Sequence, residues 1–224
     1  MVQLDIISDV ICPWCYIGKA RFDRALAGAD GNPFDIRWRI FQLNPDMPSE
    51  GMDRKAYLEA KFGGPEGAKR VYGAIAEAAE ADGLDIRFDL IDRTPNTMDA
   101  HRLIRWAASA GVQPQVVSQL FVRYFERGED ISDRDVLLEV AESAGMERDV
   151  VERLLSGDAD LTELTREDTM ARDMGVTGVP TFIIGNRYVL QGAQDTETWT
   201  KVIAEINEQL RSARETLSPG ETVQ

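Results

Sequence analysis

A chain of 224 residues, 43% hydrophobic and 29% charged, can bury a substantial core as one large domain or as one domain with an insertion. Its 39 acidic residues outnumber 25 basic ones, giving a formal net charge of −14. That disfavours nucleic acid and anionic membrane surfaces as partners, since both need clustered cations, and no apolar run is long enough to cross a bilayer.

The first strand is expected at Leu4-Asp5-Ile6-Ile7-Ser8. Met1 to Asp5 lead straight into it without a basic region or an apolar h-region, so a cytoplasmic location is expected. Cys12-Pro13-Trp14-Cys15 follows, and then a helical pattern in which Ile17, Phe22, Ala25 and Leu26 return every three or four residues. Pro13, with its preset φ and no N–H to lose, suits the first turn of that helix. Cys12 is thereby left at the helix N-terminus, where unpaired N–H groups and the macrodipole favour a thiolate. Cys15, one turn on, lies on the same face and within reach of a disulfide with Cys12. The chain has no third cysteine and one histidine, too few for the four ligands of a structural zinc, so no metal is expected. In a reducing compartment a lone cysteine pair is redox-active more often than structural. Cys12 is the expected attacking thiol and Cys15 the resolving one.

Phe34 to Phe41 alternates apolar with polar residues and predicts a second strand, completing a βαβ unit. Asn44 to Gly51 leads out of the sheet. Helical patterns then dominate: Asp53–Phe62, a helix opened by Pro65, one capped by Asn96 or Thr97 and ended by Gly111, Pro114–Arg127, one following Ser132-Asp133-Arg134-Asp135, and shorter ones near Asp149–Leu155 and Leu161–Met174. Trp106 and Tyr124 fall at core-like helical positions. Thr181–Ile184 and Arg187–Leu190 around Gly185-Asn186 predict a hairpin with a two-residue turn. A last helix from about Thr196 carries Trp199, Val202, Ile203, Ile206 and Leu210 as its stripe.

Asp9-Val10-Ile11-Cys12-Pro13-Trp14-Cys15-Tyr16-Ile17-Gly18 resembles the active site of DsbA-like thioredoxin-fold proteins, and more narrowly their cytoplasmic FrnE-like branch, related to 2-hydroxychromene-2-carboxylate isomerases and kappa-class glutathione transferases. Gly178-Val179-Pro180-Thr181 is similar to the family's second hallmark, a cis-proline loop facing the cysteines. The resemblance implies an α/β thioredoxin fold (βαβ…ββα) with a large all-helical insertion: a thioredoxin domain from 1–50 and 175–212, an insertion at 51–174, and a loose tail at 213–224. It implies a thiol–disulfide oxidoreductase or isomerase acting on disulfide-containing proteins or small thiols, with no bound cofactor and glutathione as a candidate co-substrate. Pro13, Trp14, Val179 and Pro180 are then expected against the substrate. His101, in a string similar to one on the family's insertion helix, is a further candidate for substrate contact or proton transfer. Isomerase and transferase relatives commonly carry serine where this chain has Cys12, so the full dithiol favours disulfide exchange. A glutathione-dependent isomerase or transferase of small aromatic or polyketide substrates, and a redox-switched binding protein, are the alternatives. Oligomeric state is left open.

Overall fold

The computed structural model describes residues 1–217. β1 (Val2–Ser8), α1 (Pro13–Ala27) and β2 (Phe34–Ile40) form a parallel βαβ unit in which Val2 pairs with Phe34 and Ser8 with Ile40. Two short strands, here β5 (Thr181–Ile184) and β6 (Tyr188–Gln191), complete a four-stranded sheet of order β2-β1-β5-β6, with β5 antiparallel to β1. Between these halves lie β3 (Met52–Asp53), α2 (Arg54–Phe62), α3 (Pro65–Ala81), β4 (Arg93–Thr94), α4 (Met98–Ser109), α5 (Gln113–Phe121), α6 (Arg134–Ser143), α7 (Arg148–Leu155) and α8 (Leu161–Asp173). α9 (Thr196–Leu217) closes the fold against α1. Among the described residues no helix is long and apolar enough to span a membrane.

Side chains alternate across a strand, and β1 uses both faces. Leu4 and Ile6 join Phe22 of α1, Phe182 of β5 and Trp199 of α9 in the main core, while Ile7 turns to Phe41, Ala171 and Val176 on the α8 side. Asp82, just past α3, ties the insertion to α1 by accepting from Arg21 Nε at 2.6 Å and Arg24 Nη1 at 2.8 Å. On the outer edge of β2 the Gln113 amide accepts from Trp38 N–H and donates to Trp38 C=O, as a neighbouring strand would. An edge strand is thereby partly covered.

Several expectations change. The insertion is not all-helical: β3 and β4 form a two-residue antiparallel ladder, separate from the main sheet. The hairpin loop has three residues, Gly185 to Arg187, because Ile184 pairs with Tyr188; Gly185 and Asn186 both take the left-handed conformation, at φ 59° and 56°. The predicted helix Pro114–Arg127 is α at its start and continues as a π turn over Val122–Glu126, which brings Tyr124 and Phe125 into the core. α9 runs past residue 212 to Leu217, so the first part of the expected loose tail is helical, and 218–224 lie outside the described residues.

Candidate active site

α1 begins at the cysteine motif. Pro13 takes the first helical position and Cys12 is the N-cap, in extended conformation at φ −89° and ψ 112°. Cys12 N–H donates to Asp9 C=O at 3.0 Å, while Cys12 C=O accepts from Cys15 N–H at 3.0 Å. The Cys12 side chain makes no cap bond of its own. Its thiol faces the loop before β5 instead, donating to Val179 C=O at 3.5 Å across the cis Val179–Pro180 bond. Gly18 makes this approach possible: a Cβ there would stand 3.1 Å from Pro180 Cγ and 3.4 Å from Ala193 Cα. A Cβ at that helix position would require the loop to give by a few tenths of an ångström.

Both cysteines are free thiols. Cys12 is recessed at 5% exposure and Cys15 is sealed at 1%. Burial pushes the Cys15 thiol well above its ordinary value of 9.0, Cys12 raises it further, and the Ser8 hydroxyl and Asp9 main chain pull it back. Cys15 is therefore a protonated thiol at neutral pH, set behind Cys12.

Pro13 and Trp14 are half-buried. Trp14 packs toward Ile17, Ile75 and Ala79 on the α3 side, so part of its ring serves the α1–α3 contact. His101 is turned inward. It is 3% exposed, with Nε2 3.4 Å from Asp9 Oδ1. Asp9, fully buried, accepts from Leu43 N–H through its other oxygen at 2.7 Å. Tyr124 and Trp106 are packing residues, Trp106 N–H also donating to Asp160.

The insertion adds side chains that sequence reasoning missed. Arg54 donates to Tyr72 Oη at 2.7 Å and lies over the Tyr57 and Tyr72 rings. Burial pushes the Tyr72 phenol up, Arg54 holds it back, and charge at Tyr57 and Cys12 adds to the rise. Tyr72 and Arg54 thus stand on the insertion side of Cys12, a juxtaposition that nothing local at position 54 or 72 signals. Asp9 had a visible signal: a carboxylate directly ahead of Val10-Ile11-Cys12. Among the described residues no group of three or more His, Cys, Asp or Glu could hold a metal ion.

The raised Cys15 thiol has a measurable consequence for stability. Between its unfolded and folded titration points the unfolded chain sheds a proton that the folded protein keeps, so the reduced protein loses stability as pH rises through and above 9.0. Burial moves the Tyr16 and Tyr124 phenols up as well, from 10.0, adding a similar loss at still higher pH. Between about pH 8.5 and 10, reduced wild type is expected to lose up to about 1.4 kcal/mol per pH unit more than Cys15→Ala. Urea unfolding across that range measures the difference. Equal slopes in the two proteins would contradict a buried, proton-holding Cys15.

Comparison with other proteins finds the same fold in known families. The model of the DSBA-like thioredoxin domain matches residues 3–204. The Bacillus subtilis (strain 168) protein YwbO is 27% identical over 211 residues, covering 91% of this chain and 96% of its own. The crystal structure of a probable DsbA oxidoreductase from Streptomyces coelicolor superposes with a TM-score of 0.81 at 30% identity, over 92% of this chain and 90% of that one. The Pseudomonas aeruginosa cytosolic disulfide reductase DsbM, solved with GSH, shares the fold at a TM-score of 0.64 and 20% identity, over 93% and 99% of the two chains. With sheet, insertion and cysteine helix all inside the matched span, the chain belongs to the DSBA-like thioredoxin domain family.

Proposed function

We propose that the protein is a thiol–disulfide oxidoreductase in which Cys12 attacks and Cys15 resolves, working in the cytoplasm on disulfides of proteins or small thiols. One observation carries the reading: Cys12 caps α1 with its sulfur turned to the Val179 carbonyl, and Cys15 is sealed one turn behind it. The Cys12 sulfur attacks a substrate disulfide, forming a Cys12–S–S–R bond and releasing the other substrate half as a thiolate. Cys15 then attacks the Cys12 sulfur, closing Cys12–Cys15 and expelling the remaining half. Run backwards, the same steps oxidise a dithiol. Val179 and Pro180 lie beside the reacting sulfur, where an extended substrate segment would run. Arg54 supplies a positive charge beside Tyr72, suited to the carboxylates of glutathione as co-substrate.

Reduction of insulin disulfides with glutathione as electron source tests the reading. Catalytic turnover is expected in wild type, with loss in Cys15→Ser. Full turnover in Cys15→Ser would favour a glutathione-dependent isomerase or transferase, because that chemistry needs no resolving thiol.

A further inference from the structure

Opposite the β2 edge the main sheet ends in β6, which pairs on one side only, with β5. That ladder uses alternate residues. Gly192 N–H donates to Pro180 C=O at 2.7 Å, so the main chains of Leu190 and Tyr188, two and four positions back, also face β5. Those of Val189 and Gln191 therefore face outward, away from the sheet. The side chains there are apolar and open: Tyr188 is 61% and Val189 55% exposed. Edge strands are commonly guarded by a Lys, a Pro or a bulge. Tyr188-Val189-Leu190-Gln191 contains neither Lys nor Pro, and its register with β5 runs without a bulge.

Tyr188 and Leu190 turn to the α9 side, where a groove of about 350 Å³ opens between β6 and α9. Val2, Leu190, Val202 and Ile206 give the groove an apolar wall, and the exposed Arg187 and Glu205 stand at its rim. Neither of these two charges has an ion-pair partner among the described residues. Cys12 and Val179 are not in the lining, so the groove is separate from the cysteines.

We propose that β6 is a self-association edge, on which a second copy of this chain pairs antiparallel about a two-fold axis through Val189. With Val189 opposite Val189, the two copies exchange N–H to C=O bonds at that residue, and each Gln191 N–H reaches the Arg187 C=O of the other. The four-stranded sheets join into one of eight. The same register sets Tyr188 of each copy opposite Leu190 of the other, which lays its ring over the other groove toward Val202 and Ile206. A buried tyrosine of this kind removes about 150–250 Å² from water. Arg187 is carried across to α9 of the other copy, where Glu205 is the carboxylate without a partner. A second copy fits because ring and groove, cation and anion all lie on one surface, as a two-fold interface requires.

Sedimentation equilibrium across a concentration series tests this, at about 0.15 M salt to screen the net charge of −14 on each copy. Wild type is expected to dimerise reversibly, and Tyr188→Glu to weaken the dimer by at least about 30-fold, the scale of a central aromatic anchor. Tyr188 is exposed, so that variant should keep its fold by circular dichroism. Arg187→Glu and Glu205→Arg should each weaken the dimer, and the double variant should recover most of the loss. Amide hydrogen exchange reads the register directly: Val189 and Gln191 should slow in the dimer relative to dilute protein. Wild type that stays monomeric throughout overturns the proposal, leaving the edge to a different partner. A dimer that Tyr188→Glu leaves intact, or whose Val189 and Gln191 amides exchange as in the monomer, uses another surface and overturns it as well.

Discussion

Cys12→Ser is expected to lower disulfide-exchange turnover by at least about 10³-fold, the scale on which removal of a covalent nucleophile is felt. The loss should be chemical rather than structural. Serine keeps the side-chain shape, its hydroxyl can still donate to the Val179 carbonyl, and serine is itself a favoured N-cap. Unfolding free energy should therefore stay within about 1 kcal/mol of wild type. Cys15 cannot take over the attack, because it is 1% exposed and holds its proton to high pH. Turnover assayed beside urea unfolding separates the two effects. A stable Cys12→Ser protein with substantial exchange activity would remove Cys12 from the chemistry.

Trp199→Ala is expected to have the largest effect on stability, a loss of about 3–5 kcal/mol. Trp199 is 0% exposed and meets Phe22 and Phe182 edge-on, with ring centroids 4.8 and 4.7 Å away. It joins α9, α1 and β5, the three elements that set the cysteines against the proline loop. Against a typical total of 5–15 kcal/mol such a loss brings the protein near its threshold. Its indole N–H has no hydrogen-bond partner, so part of the tryptophan is already in an unfavourable place. Trp199→Phe removes that orphan donor and keeps a ring, and should cost less than half as much as alanine. Urea titrations of both variants check this, and equal losses would show that ring packing is not what Trp199 supplies.

The elements that set the site were largely legible in the chain. Alternation in Phe34–Phe41, the 3–4 spacing after Cys15 and the stripe around Trp199 each follow from a local periodicity that burial enforces. Cys12, Pro13 and Cys15 could be placed because a helix start is itself a local pattern. What escaped depends on distant partners or on pairing. The β3–β4 ladder joins residues some forty positions apart through two short segments with no strand periodicity. The hairpin register was set by Ile184 pairing with Tyr188, which left Arg187 in the loop. Arg54 and Tyr72 reach the neighbourhood of Cys12 only through the packing of α2 and α3, and His101 turns inward because Asp9 faces it across the fold. Such residues look like ordinary helix surface until tertiary structure is known.

The central claim, that Cys12 attacks and Cys15 resolves, is tested most directly by trapping. Cys15→Ser protein is exposed to cell extract and adducts on its remaining cysteine are identified by mass spectrometry. The intramolecular thiol outcompetes millimolar glutathione by its effective concentration, so its removal should stall the reaction at the first disulfide. Mixed disulfides on Cys12 are expected to accumulate in Cys15→Ser and to be scarce in wild type, with protein adducts marking a protein-disulfide enzyme and glutathione alone marking small-molecule work. An unmodified Cys12 in a Cys15→Ser protein that still turns over at the wild-type rate would contradict the dithiol mechanism.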